Sequence, residues 1–367
     1  MSDAAPHILI VDDVPELSAA FADDVQAHVG EAFEVTDWCP GTTDTLPDAF
    51  VDQLRPTTKL VVTDYDLSEG MKGLFGPSIV EWCQIRLIPV ADYSRKPSQD
   101  MPAAPELFAM HIPRDESGPS VAGNLAQGLV QLDTAISGFV PDDNLAASLS
   151  VGLARILDRP NTSTAFGPYM DHLVGSSRSI LDMVLRRSLA GTALDIEALR
   201  PKIIRYVLSH FLRNLILRYP GPILHARATA AYLALPVTAL SEDIKTILEP
   251  ALYTGPFSRE DSYYWRDQLD DVMDDLVDGV DDTGIGSTAE LYRVALETHL
   301  GIRLAPHGCA RDGCEGRRGG FWCPLTGRPV CARGDCSVAS STLVPQGASV
   351  SRVERVFYDE WAPLLGF

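Results

Sequence analysis

Long hydrophobic runs are missing from this 367-residue chain: nowhere do eighteen apolar residues follow one another, which argues against a membrane-spanning helix. The opening residues Met1-Ser2-Asp3-Ala4-Ala5-Pro6-His7 hold no basic segment, and the apolar run Ile8–Val11 is far shorter than the core of a secretion signal, so a cytoplasmic protein is expected. Positive charge is scarce too, with 30 Lys and Arg against 50 Asp and Glu and a formal net charge of −20. A surface of that sign repels phosphate. General, sequence-independent binding to nucleic acid or to an anionic membrane is therefore excluded, although a local basic patch is not. No internal repeat is present. What the chain does have is 46% apolar residues with only 22% charged ones, enough for the cores of two or three domains and unlike a disordered chain.

Three zones separate by pattern. Over residues 5–138, short strand-like runs at His7–Val11, Phe33–Trp38, Leu60–Thr63, Ile88–Tyr93 and Leu107–Ile112 alternate with helical patterns at Pro15–Val29, Gly76–Gln84 and Val121–Ile136. This alternation predicts a doubly wound α/β domain with a five-stranded parallel sheet covered on both faces. Over residues 142–304 the strand signal disappears. Helical patterns at Pro201–Arg218, Ile223–Leu235, Ser241–Leu252 and Glu260–Val280 predict an all-α domain. Residues 305–367 are rich in Cys, Gly and Arg, and close on an amphipathic pattern over Ser351–Leu364.

Two of the apolar runs end in acids: Ile8–Val11 runs into Asp12-Asp13, and Leu60–Thr63 into Asp64. In a doubly wound sheet, ligands bind at the C-terminal edge of the strands, so the topology predicts three carboxylates in one crevice. Clustered anions need a cation, and an oxygen-rich set suits Mg²⁺. A metal there offsets the charge of an incoming phosphoryl group and leaves one carboxylate free as a nucleophile.

These residues resemble the receiver domain of two-component response regulators over roughly a third of the chain. The resemblance implies a flavodoxin-like fold, Mg²⁺ held by Asp12 and Asp13, and Asp64 as phosphoacceptor. It further implies a metal contact from the backbone carbonyl of Asp66, and a hydroxyl from Ser94, five residues after Pro89, bonded to the phosphoryl oxygen. The implied partner is a phosphohistidine donor such as a sensor kinase. The chain also departs from the pattern. Ile112 stands before Pro113 where the family has Lys, which leaves Arg114 as a candidate substitute. Lys96-Pro97 has the right dipeptide directly after strand four, where accepting it would delete a strand and a helix. Pro97, Pro102 and Pro105 break up the region of the fourth helix.

Elsewhere the plainer readings win. Asp267, Asp270, Asp271, Asp274, Asp275 and Asp278 lie opposite an apolar stripe and read as a solvated helix face. Residues 230–240 have helix-turn-helix spacing, but the second helix opens Ser241-Glu242-Asp243, which is the wrong charge for DNA. His172, His210 and His225 have no catalytic partner at ligand spacing. Arg205 and Arg213 share a basic stretch that reads as arginines snorkelling around an apolar helix, or else as an anion site.

The cysteines are the other concentration of chemistry. Cys309, Cys314, Cys323, Cys331 and Cys336 lie close to His307, and the pairs Cys309-x₄-Cys314 and Cys331-x₄-Cys336 have structural-zinc spacing. In a reducing compartment such a set reads as a Zn²⁺ site, with free thiols or redox-active thiols as the alternatives. There is one Cys more than a tetrahedral site needs. Arg303, Arg311, Arg317, Arg318, Arg328 and Arg333 make this segment locally basic, fit for an acidic partner or for the chain's own acidic helix. The sequence reads as an atypical response regulator, more a regulatory or binding protein than an enzyme. The alternatives are a phosphate-independent scaffold that binds a protein partner, and an effector enzyme with an unfamiliar site.

Overall fold

The computed structural model describes residues 4–41, 47–68, 70, 73–94, 109–137, 149–169, 196–311, 313–314 and 319–363. They fall into two compact units, Met1–Pro141 with Ser176–His210, and Asp142–Gly175 with Phe211–Phe367. The three zones of the sequence do not map one to one onto these units.

In the first unit, β1 (His7–Val11), β2 (Glu34–Trp38), β3 (Thr58–Asp64), β4 (Val90–Ser94) and β5 (Ala109–Pro113) form one sheet in the order β2-β1-β3-β4-β5. Every pairing is parallel. A parallel sheet is covered on both faces, which is why β1 and most of β3 read as continuous apolar runs rather than alternating ones. Side chains still alternate along each strand. Leu9, Val11, Val61 and Val90 meet Phe50 of α2 (Asp48–Gln53) and Ile79 and Cys83 of α3 (Gly76–Ile85) in one core. Helices α1 (Pro15–Val29) and α4 (Gly118–Ser137) lie against each other beside the sheet.

His7 opens β1 and is fully buried, with Nδ1 2.8 Å from Thr58 Oγ1 and Nε2 2.8 Å from Thr36 Oγ1 on the two flanking strands. Burial, helped by the charge of Arg55, lowers its pKa from 6.5 to about 4. The fold thus prefers the neutral ring. This stabilisation is complete above pH 6.5 and is lost as the pH falls toward 4, by about 3 kcal/mol at most. Urea midpoints should therefore drop on acidification across that window, and drop less in His7→Gln, which starts from a lower midpoint at pH 7.

A helix of the expected middle zone, α6 (Ile196–His210), belongs to this first unit, where it packs on α4 and buries Tyr206 and Val207. Helical periodicity marks the element, but which surface it covers depends on the face that α4 presents. The segment with Lys96, Pro97, Pro102 and Pro105, where the resemblance implies a fourth helix, lies outside the described residues.

The second unit is helical in the main: α5 (Leu149–Ile156), α7 (Ala226–Tyr232), α8 (Glu242–Leu248), α9 (Arg266–Val277) and α10 (Thr288–Leu300), with a short α11 (Arg355–Trp361). It is not all-α, however. Antiparallel strands β6 (Ile223–His225) and β7 (Tyr263–Trp265) run straight into α7 and α9. Three-residue strands are too short for a period of two to show, and the aromatic and branched residues that form them also suit the helices they precede. On α9, Leu269 and Met273 are buried while Asp267, Asp271, Asp274 and Asp275 are exposed, as is Asp278 just past its end. Asp270 departs from the expected solvated face, half-buried and accepting the Tyr232 hydroxyl at 2.6 Å.

The cysteine-rich segment is no separate module. Its hairpin of β8 (Phe321–Cys323) and β9 (Arg328–Val330) sends Trp322 into the same core as Leu224, Ile244, Leu269 and Leu296, and the backbone of Trp322 bonds Val350 and Arg352. The two-residue strands β10 (Ser337–Val338) and β11 (Val353–Glu354) close this region. Among the described residues no helix is long and apolar enough to cross a membrane.

Candidate functional site

Strand β1 ends at Val11 and hands the chain directly to Asp12, whose N–H donates to Trp38 O. Strand β3 ends in Asp64, next to β1 in the sheet. Carboxylate oxygens of Asp12, Asp13 and Asp64 consequently all lie within 4.8 Å of one another. Backbone donors fix each group: Val14 N–H on Asp12 Oδ1 at 2.9 Å, Gly70 N–H on Asp13 Oδ2 at 2.9 Å, and Tyr65 N–H on Asp64 Oδ1 at 2.7 Å. Two glycines let the loop come this close. A Cβ on Gly70 would stand 2.5 Å from Pro40 O, and one on Gly76 would stand 2.4 Å from the carbonyl oxygen of Asp64.

Asp12 is fully buried and Asp64 nearly so. Burial raises the pKa of both, and the neighbouring acids, Asp64 and Asp13 on Asp12 and Asp13 on Asp64, push the same way. The opposing cation is Arg114, one residue past β5. Its Nη1 donates to Asp64 Oδ2 at 3.2 Å and its Nη2 to Asp12 Oδ2 at 3.3 Å, while the guanidinium lies over the Tyr93 ring, 4.7 Å from the centroid. Ile112, where the resemblance implies Lys, is fully buried in the sheet, and the cation enters the pocket two residues further along. Three carboxylates this close could hold a metal ion, and Arg114 partly neutralises them without one.

The other expected site residues fare differently. Ser94 ends β4, paired with Pro113 in register. Asp66 is exposed, and its carboxylate accepts both the N–H and the hydroxyl of Ser68, at 3.1 and 2.6 Å, which lowers its pKa. That carboxylate takes no part in the acidic group. The hydrogen bond from Gly70 to Asp13 and the Tyr93 platform under Arg114 left no signal in the sequence, because both depend on how loops fold back over the sheet edge.

A second concentration of ligand atoms lies in the other unit. The Sγ atoms of Cys309, Cys314, Cys331 and Cys336 are all within 4.8 Å of one another. Two edges measure 3.6 Å (Cys314–Cys336) and 3.9 Å (Cys314–Cys331). A tetrahedron of thiolates at the usual Zn–S distance has edges of about 3.8 Å. Turns supply the placement: Cys314 N–H bonds Arg311 O, Cys336 N–H bonds Arg333 O, and Ala310 N–H ties the first pair to Pro329 of β9. Burial, then the crowding of other sulfurs, pushes the Cys331 and Cys336 thiols up, so four thiolates require a cation among them. Arg311 Nη1 stands 3.9 Å from Cys336 Sγ, and Asp335 pairs with both Arg311 and Arg333.

Cys323, counted above with the candidate ligands, is not one of the group. It sits on β8, fully buried, and its sulfur accepts the N–H of Glu354 at 3.3 Å. Its register partner on β9 is Arg328, and its sulfur is not among the four that cluster. His307 also lies outside the group. The arrangement is closed and sulfur-only, which suits a structural ion rather than a catalytic one.

Comparison with protein-family models gives no match, and comparison with curated proteins gives none either. The functional reading rests on the geometry and on the residues themselves.

Proposed function

We propose that the first unit is the receiver-like switch of an atypical response regulator, with Asp64 as phosphoacceptor. The observation that supports this best is the convergence of Asp12, Asp13 and Asp64 at the C-terminal edge of two adjacent parallel strands, bridged by a cation from a third strand's end. A carboxylate oxygen of Asp64 attacks phosphorus, the P–O bond forms, and the bond from phosphorus to the donor's ring nitrogen breaks. That electron pair returns to the imidazole, which leaves neutral when its other nitrogen holds a proton. Asp12, Asp13 and Asp64 are the residues that would hold Mg²⁺, which supplies charge neutralisation around the phosphoryl group. Arg114 keeps one guanidinium edge on the acids and stabilises phosphoryl oxygen charge in the place the family gives to Lys. The resemblance would make Ser94, at the end of the neighbouring strand, the second phosphoryl contact.

The four-thiol group reads as a structural Zn²⁺ site that holds the β8–β11 region in shape for binding a protein partner. Phosphorylation at Asp64 would then alter that binding. Incubation with acetyl phosphate and Mg²⁺ should label the wild type and leave Asp64→Asn unlabelled. A wild type that takes no label would favour a second reading, in which the unit is a phosphate-independent scaffold. The bridge from Arg114 to both Asp12 and Asp64 supports that second reading, since it partly neutralises the pocket without any ion.

A further inference from the structure

The opposite edge of the same sheet holds a cavity of about 340 Å³, where the N-terminal ends of β3 and β4 meet α4 and α6. Its lining inverts the charge of the protein. Arg55, Lys59, Lys202 and Arg205 face it with one carboxylate, Asp133, in a chain whose net charge is −20. That carboxylate serves two cations: Lys59 Nζ bonds Asp133 Oδ2, and Arg205 Nε lies 3.8 Å from Asp133 Oδ1. This is too long for a hydrogen bond, and among the described residues the buried Nε of Arg205 has no hydrogen-bond partner. Arg55 is tied outward to Glu34. Lys202 has no acidic partner among the described residues, and desolvation followed by the charges of Arg86 and Lys59 lowers its pKa. Positive charge is therefore concentrated here beyond what the protein itself compensates. The rest of the wall sets the apolar Leu87, Ile88 and Leu129 beside Thr58, Tyr206 and Ser209.

A half-apolar cavity of this size, with a few convergent charged groups, is the usual form of a small-ligand site. We infer that it binds a small organic phosphate of nucleotide size, its phosphates on Lys202 and Arg205 and its body against the apolar wall. Inorganic phosphate alone would leave that wall uncovered. Neither Asp64 nor the acids around it take part, so the site stands apart from the switch chemistry proposed above.

Calorimetric titration of the full chain in Mg²⁺-free buffer, with ADP and with inorganic pyrophosphate, tests this. Both should bind, ADP the more tightly, with affinity falling as salt rises. Lys202→Gln and Arg205→Gln should each weaken binding about tenfold, the worth of one charge-assisted hydrogen bond, while keeping the wild-type circular dichroism spectrum. Asp64→Asn should bind as the wild type does. Binding of neither probe would overturn the inference, as would variants at Lys202 and Arg205 that bind undiminished. Pyrophosphate binding without ADP would overturn the nucleotide-sized assignment, and loss of binding in Asp64→Asn would place the anion in the acidic pocket instead.

Discussion

With zinc held by the four thiols as proposed, Cys331→Ser should lose it and with it the ordered β8–β11 region. Cys331 follows β9 directly and is buried, with its sulfur 3.9 Å from Cys314 Sγ. Removing one thiolate of four leaves the buried Cys336 and the half-buried Cys309 and Cys314 with no cation to hold them together. Structural zinc contributes about 10–16 kcal/mol in small isolated modules. Here part of the region is also held by Trp322 and Val350 in the helical core, so the expected loss is smaller, on the order of 3–5 kcal/mol. Metal analysis should find zinc in the wild type and none in the variant, and limited proteolysis should cut the variant within residues 305–340. Cys323→Ser gives the contrast, since it should keep its metal. A wild type that is fully folded and metal-free would dismiss the zinc reading.

Arg114→Ala should have two effects of opposite sign. The guanidinium shares Asp12 and Asp64 with any metal that enters, so its removal frees both carboxylates and leaves their repulsion unopposed. The affinity for Mg²⁺ should therefore rise about tenfold, read from the thermal stabilisation that Mg²⁺ produces. The rate of Asp64 labelling at saturating Mg²⁺ should fall by one to two orders of magnitude, roughly the worth of a charge-assisted hydrogen bond to the phosphoryl group. Arg114→Lys should recover part of the rate. Without metal, the pocket's raised carboxyl pKa values run the other way from a normal ion pair. The folded state resists ionising Asp12 and Asp64, so the pocket is least costly at low pH and costs stability as the pH rises through their folded pKa values. Asp12→Asn should accordingly be more stable than the wild type at neutral pH in the absence of metal, and Mg²⁺ should stabilise it less.

How much of this was legible in the sequence depends on distance along the chain. Strands β1 and β3 announced themselves as unbroken apolar runs ending in acids, and that local pattern was enough to bring Asp12, Asp13 and Asp64 to one edge. Arg114 could be suspected from its place just past Pro113. Its two hydrogen bonds, though, depend on where β5 ends relative to β1 and β3, which no spacing states. The five clustered cysteines were alike as letters. What separates Cys323 from the other four is its place in the fold, buried against the N–H of Glu354 rather than among the clustered sulfurs. β6 and β7 were hidden by their shortness, and the membership of α6 in the first unit by the long-range nature of helix packing. The basic cavity needed Arg55 and Lys59 to meet Lys202 and Arg205 across more than a hundred residues, and only a folded chain shows that meeting.

The central claim is that Asp64 accepts a phosphoryl group in a pocket built by Asp12, Asp13 and Arg114. The most direct measurement is site localisation: treatment with acetyl phosphate and Mg²⁺, reduction of the acyl phosphate with borohydride, and peptide mass spectrometry. Residue 64 should be recovered as homoserine, and this product should depend on Mg²⁺ and be absent from Asp12→Asn/Asp13→Asn protein. An unmodified Asp64 in fully folded, Mg²⁺-saturated wild type, or a label on another residue, would contradict it.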